Sequence, residues 1–300
     1  MPVSPLSSIW PRLAVIAWLA FAPFAPFASW AENGHHMFWA VKGAHNTVYL
    51  LGSVHMLKAA DSTLPPEILD AYKRSRTLVM ELDPNDAGTE SLVGSGLQSA
   101  TLPEGQTLST VLGSELYASY VAHAKPLGLD PDTTAGFQPW FAALTLEQLT
   151  LAQSGYEASA GVDAQFAQRA QADHKPIIAL ETMAEQMGFF AHLTLDEQRQ
   201  FLRSTLEDLD TAGNDTAAVV RAWERGDVKE LERLARQEFD ESPALMRQLT
   251  TERNRKWLPR IAALLNDNQD DLVIVGAMHL IGDDGLVALL KRQGSDPIQH

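Results

Sequence analysis

The chain contains no cysteine, which excludes disulfides, thiolate zinc sites, thiol nucleophiles and iron–sulfur ligation together. Any metal must be held by histidine, carboxylate or amide oxygen. Basic residues are scarce too: 23 Lys and Arg stand against 38 Asp and Glu, a formal charge of −15. A binder of the phosphate backbone needs a basic face, so the balance argues against nucleic acid as a partner. Past the amino-terminal segment there is no long apolar run, no repeat of solenoid length and no low-complexity tract. What is present is ordinary globular material, 45% hydrophobic and 20% charged, enough for one large core or two small ones.

The amino-terminal segment is a different material. From Met1 to Trp30 the only charged side chain is Arg12; an apolar stretch from Leu13 to Phe27 follows, then Ala28-Ser29-Trp30-Ala31 before Glu32. A positive start, an apolar centre and small residues before a cut after Ala31 predict a secretory signal peptide over residues 1–31. The stretch is roughly 15 residues, interrupted by Pro23 and Pro26, against the ~20 that a spanning helix needs. The alternative is an uncleaved anchor. The expected mature protein, residues 32–300, is periplasmic or secreted, with no stable membrane span.

Met37–Val41 and Thr47–Leu51 read as a hairpin. Leu64-Pro65-Pro66 opens a helix to Ser75, and Thr77–Leu82 reads as a buried strand, a strand–helix–strand order that suggests a parallel crossover. Residues 84–105 read as a loop. Gly161-Val162-Asp163 opens a helix ending near His174, and Ile177–Leu180 is a short strand. Residues 183–266 are helical by pattern, with breaks expected near Asn214 and Gly226. Asp271–Gly276 is an apolar strand of the kind buried in a central sheet. Asp283 and Asp284 suit the N-cap of a last helix. The predicted fold is α/β: a single domain with a central mixed sheet and a large helical middle.

One device occurs twice. Tyr49-Leu50-Leu51-Gly52-Ser53-Val54-His55 and Val273-Ile274-Val275-Gly276-Ala277-Met278-His279 are each an apolar strand ending in Gly-x-x-His. A glycine there permits a sharp or positive-φ turn, and a histidine three residues on can point over the carboxyl edge of the sheet, where open α/β sheets bind ligands. A third strand end carries Glu81 and Asp83, on one face by period two. Two imidazoles and a carboxylate are a common donor set for a divalent metal with open positions. The same trio also works without metal, a histidine acting as general base and Glu81 orienting it or the water. A structural histidine at a strand end is the plain alternative for either motif alone.

These residues resemble the TraB/PrgY/GumN family, related to the Tiki proteases and more distantly to erythromycin-esterase and ChaN-like proteins. The similarity runs through Leu50–His55, Leu64-Pro65-Pro66, Val79–Asp83, Gly161-Val162-Asp163, Lys175-Pro176-Ile177, Leu180-Glu181-Thr182, Glu252-Arg253-Asn254 and Val275–Leu280 with Gly282 and Gly285. The resemblance implies a compact α/β fold with both Gly-x-x-His motifs at one cleft. It implies divalent-metal-dependent peptide hydrolysis as in Tiki-like members, with manganese or cobalt rather than zinc and a peptide or other small extracytoplasmic substrate. Carried over, His55, Glu81 and His279 become metal ligands, and Glu81, Arg253 and Asn254 catalytic residues.

Met246, Leu249, Arg253, Trp257 and Ile261 lie along one helical face, which could pack Arg253 against the sheet. A fixed guanidinium can stabilise an oxyanion, and Asn254 can position a water. The alternative is an exposed helix with Glu252 and Lys256 paired at i,i+4. Two other functions stay open: a metal-free histidine-based hydrolase of esterase type, and a non-enzymatic accessory of a peptide or polysaccharide pathway. Pro297–Gln299 is expected as the remnant of a last strand.

Overall fold

The computed structural model describes residues 35–83, 99–209, 212–239 and 243–300. The expected signal segment and cleavage position, and most of the loop expected over 84–105, lie outside these residues. The six strands among the described residues are β1 (Phe38–Lys42), β2 (Thr47–Ser53), β3 (Thr77–Met80), β4 (Ile177–Ala179), β5 (Asp271–Gly276) and β6 (Pro297–Gln299). They form one mixed sheet in the order β4-β3-β5-β2-β1-β6. The hairpin expectation holds: β1 pairs antiparallel with β2, Phe38 opposite Leu51. β5 enters between β2 and β3 and is parallel to both, and β4 is parallel to β3. A strand from the end of the chain therefore separates two from its beginning, and four carboxyl ends line up along one edge. The Pro297–Gln299 remnant is an edge strand, antiparallel to β1.

β5 is buried at every residue, which is why it reads as a continuous apolar run rather than an alternating one. Helix α1 (Pro66–Arg74) starts on its proline, and α2 (Leu108–Ala124) is kinked at Gly113, whose φ is 74°. The chain continues through α3 (Pro139–Gln153), α4 (Val162–Ala172), α5 (Met183–Ala191), α6 (Leu195–Asp208), α7 (Ala212–Glu224) and α8 (Val228–Phe239). After α9 (Pro243–Met246) a π-helical segment, Arg247–Glu252, runs into α10 (Arg253–Leu264); α11 (Leu286–Arg292) closes the helical set. One core wraps the sheet and includes Leu50, Leu51, Val273, Phe166 and Trp257. A second lies among the helices, around Tyr120, Trp140, Leu146 and Leu202. Among the described residues no helix is long and apolar enough to cross a membrane.

The expected helical breaks fall near Asn214, where α6 ends at Asp208 and α7 begins at Ala212, and at Gly226, between α7 and α8. Two local expectations fail. The residue flanking α11 is Gly285, with no side-chain cap; Asp284 instead receives Arg255 at 3.3 Å. Lys256 pairs with Glu185 across the fold, not with Glu252 along its own helix.

Candidate active site

The two Gly-x-x-His motifs meet across the β2–β5 pairing, where Ser53 stands opposite Gly276. Neither glycine has a positive φ; Gly276 sits at φ −49°. The reason for glycine is close approach. A Cβ on Gly52 would come within 3.0 Å of the Ala277 Cα, and one on Gly276 would lie 3.3 Å from Glu81 Oε1, 3.5 Å from His55 Nε2 and 3.6 Å from His279 Cδ2. Each motif's glycine clears space for the other motif. The missing methyl of Gly276 marks the point on which His55, Glu81 and His279 converge.

His55 is held by Asp163. Nδ1 donates to Asp163 Oδ2 at 2.8 Å, while Asp163 Oδ1 accepts from Ser53 Oγ at 2.8 Å. Asp163 stands in the first turn of α4, and that turn is tied to the His55 loop by Val162 N–H donating to the Val54 carbonyl at 3.0 Å. Gly161 permits the docking: a Cβ there would fall 2.1 Å from the His55 carbonyl oxygen. Burial works against charge on His55, but the adjacent Asp163 carboxylate outweighs it, and the imidazole pKa rises to about 9. Its side chain is 38% exposed.

His279 is the opposite case. Asn254 Nδ2 donates to the backbone carbonyls of His279 at 3.1 Å and Asp284 at 2.9 Å. That fixes the amide with Oδ1 toward His279 Nδ1, at 2.7 Å. An amide oxygen only accepts, so Nδ1 carries the proton and Nε2 is left as the acceptor. Burial holds its pKa well below that of free imidazole, and Trp257 lies against the ring with centroids 4.5 Å apart.

Between them, Glu81 follows directly on β3. Oε1 accepts from Gly276 N–H at 2.7 Å and lies 3.7 Å from His279 Nε2. Burial opposes its charge, but the Arg253 guanidinium, the charged His55 ring and that N–H outweigh burial, and its pKa lies well below the usual carboxylate range. β3 ends at Met80, so both Glu81 and Asp83 lie past the strand and period two does not place them on one face.

Arg253 completes the set, and all five of its N–H groups are engaged. Nε donates to Glu181 Oε2 at 3.1 Å, and Nη2 to Glu181 Oε1 and Glu81 Oε2. Nη1 donates to the Leu249 carbonyl and to His279 Nε2, each at 3.0 Å. Its guanidinium carbon lies over the Trp257 ring, 4.6 Å from the centroid, and over the Phe189 ring, at 5.7 Å. As placed, Arg253 donates to an oxyanion only by giving up one of these acceptors. Gln186 Nε2 bridges Glu81 Oε2 and Glu181 Oε1 at 3.2 and 3.0 Å.

The structure thus brings His55, Glu81, His279, Arg253 and Asn254 to one sheet edge. It adds Glu181, carried by the Leu180-Glu181-Thr182 motif, and Asp163 and Gln186, which residue patterns alone did not single out for these contacts. The signal for Asp163 was in Gly161-Val162-Asp163, but an acid in the first turn of a helix reads equally well as a partner for the helix dipole. Glu181 follows β4, and the capping of α5 falls to Thr182 and Glu185, leaving the Glu181 side chain in the site.

By donor chemistry the set fits a divalent ion. Metal-ligating histidines keep one ring nitrogen on an oxygen acceptor and present the other, as the Nδ1 bonds to Asp163 and Asn254 arrange here. By position, no three His, Asp or Glu side chains among the described residues are grouped to hold one, and Arg253 stands on the lone pairs that such an ion would use.

A family model, TraB/PrgY/gumN, matches residues 37–297. The chain belongs to the TraB/PrgY/gumN family. Within reach of it is the uncharacterized protein YbaP of Escherichia coli (strain K12), 25% identical over 267 residues, covering 87% of this chain and 96% of YbaP. An uncharacterized protein of Treponema pallidum (strain Nichols) is 22% identical, covering 86% of this chain and 80% of its own. The metalloprotease TIKI2 of Xenopus tropicalis is 25% identical over 90% of this chain but 60% of its own length, so the family fold accounts for only part of that protein. No solved structure matches.

Proposed function

We propose that this TraB/PrgY/gumN-family chain is an exported hydrolase of peptide bonds, dependent on a divalent metal, manganese or cobalt, held by His55, Glu81 and His279. The observation that carries the reading is the pair of imidazoles with Nδ1 locked on an oxygen acceptor, His55 Nε2 and the His279 Cδ2 edge lying at the point beside Gly276, next to Glu81. The name of the TIKI2 relative supports it. A bound ion supplies Lewis acidity to a carbonyl and lowers the pKa of a coordinated water. The chain does the rest. Asp163 and Asn254 keep both rings in the Nδ1–H form, the Gly276 N–H holds Glu81 Oε1, and Arg253 places positive charge beside the reacting centre. Asn254 acts through His279 rather than on water. The expected experiment is turnover of a peptide library by the mature protein with and without chelation: loss on chelation and recovery with Mn²⁺ or Co²⁺ is predicted, and unimpaired turnover in His279→Ala would sink the assignment.

A second reading rests on a specific observation. Arg253 already occupies His279 Nε2, while His55 is the most exposed side chain of the centre, 38% against 9% for Glu81 and 5% for His279. A metal-free His55–Asp163 pair can then take a proton from water at Nε2. Such a base works only when deprotonated, so its rate climbs with pH toward about 9 and survives chelation. A non-enzymatic accessory of a peptide or polysaccharide pathway would instead bind its ligand with affinity that outlives loss of both histidines.

A further inference from the structure

Resting on the metal-dependent reading, we propose that Glu181 is a positioning residue that holds Arg253 as a resident countercation in the ligand set, so that a divalent ion must compete with Arg253 for His279 Nε2 and Glu81 Oε2.

The guanidinium has an anchored edge and a reaching edge. Glu181 grips it through both carboxylate oxygens, from Nε at 3.1 Å and from Nη2. Such a two-point grip fixes the plane of the fork as well as its position. Glu181 is the most deeply buried side chain of the ion-paired group, 1% exposed against 9% for Arg253 and 9% for Glu81, and Gln186 takes the remaining approach to its Oε1. The other N–H groups of Arg253 reach outward, to Glu81 Oε2, His279 Nε2 and the Leu249 carbonyl. That carbonyl belongs to the π-helical segment that delivers Arg253, a wide winding found mostly at functional sites. The guanidinium carbon also lies over the rings of Trp257 and Phe189.

The consequence is a competition for specific lone pairs. A buried carboxylate pair needs a cation nearby, and removing the cation leaves uncompensated charge. Arg253 meets that need, but it does so by donating to the nitrogen and the oxygen that a divalent ion would require. One lone pair serves one cation, and two cations at this separation repel. Glu181 thereby sets metal affinity without being a ligand.

The test is Mn²⁺ titration by calorimetry into metal-stripped wild type, Arg253→Met and the double variant Glu181→Gln/Arg253→Met. Methionine keeps an apolar filling beside Trp257 and Phe189. The double variant retains the wild-type net charge and loses the reaching cation, so any gain reports the freed lone pairs rather than charge. It also neutralises position 181, so that of the two carboxylates only Glu81 loses its cation, with the Gly276 N–H and the His55 ring still beside it, which destabilises less than Arg253→Met alone. Mn²⁺ binding tighter by on the order of tenfold in the double variant, abolished by adding His279→Ala, with a lower Tm of the metal-stripped Arg253→Met protein, is the expected result. A purely structural ion pair would lower stability and affinity together. If wild type binds Mn²⁺ and the double variant binds it no tighter, the inference is overturned while the metal-dependent reading stands. If neither wild type nor variants bind Mn²⁺ or Co²⁺, that reading falls and takes the inference with it.

Discussion

The two Gly-x-x-His motifs are near-copies in sequence and opposites in chemistry. His55 is part-exposed, bound to a carboxylate, and its pKa rises to about 9; His279 is buried, bound to an amide oxygen, and held neutral. Strand and glycine bring both rings to one point, but the residue at Nδ1 decides what each ring is. A carboxylate there stabilises the imidazolium, while an amide oxygen in a buried setting stabilises the neutral ring with Nε2 as acceptor.

Replacement by alanine should separate the two most strongly. His55→Ala and His279→Ala should each cut turnover by about 10²–10⁴-fold. Above pH 9, where the His55 imidazolium no longer contributes, only His279→Ala should unfold the protein measurably more easily, by about 1–3 kcal/mol, because it strips an acceptor from buried Arg253 and opens space against Trp257. Equal losses of stability in chemical denaturation would erase the distinction.

The pH dependence of stability in metal-stripped protein should show the same split. For His279, with its pKa depressed, the unfolded chain takes up a proton below pH 6.5 that the folded chain refuses, so stability falls as pH drops from 6.5. For His55, with its pKa raised, the contribution is full below 6.5 and is lost as pH rises through about 9. Thermal melts should therefore give a maximum near pH 6.5. In Asp163→Asn the loss on the alkaline side should shrink and the loss on the acid side should remain.

The glycines give the smallest and most local contrast. Gly52→Ala pushes a methyl against the backbone of Ala277, at 3.0 Å, and should cost about 1–3 kcal/mol. Gly276→Ala meets only side chains, at 3.3–3.6 Å, so its Tm should move less, while its methyl intrudes on the convergence point and lowers turnover. A larger Tm loss at Gly276 than at Gly52 would contradict this account of why the motif carries glycine.

The strands, the hairpin and the convergence of both ends of the chain were legible because apolar runs and Gly-x-x-His spacing are local signals. Three things were not legible. The glycines read as turn formers because conformational freedom is visible in one residue type, whereas close approach needs the partner strand. Asp163 lies far along the chain from His55, on a helix whose docking depends on Gly161 meeting the His55 carbonyl. Arg253 read as a donor for substrate; that its N–H groups are consumed by Glu81, Glu181, His279 and Leu249 depends on four separate elements.

The most direct test is a ¹⁵N-imidazole NMR pH titration of metal-stripped wild type beside Asp163→Asn and Asn254→Asp. The account predicts that His55 titrates near pH 9 and falls toward 6.5 in Asp163→Asn. His279 should stay a neutral Nδ1–H ring throughout the range above 6.5, and take up charge only when Asn254→Asp gives it a carboxylate. Both histidines titrating together near 6.5, unmoved by either exchange, would contradict it.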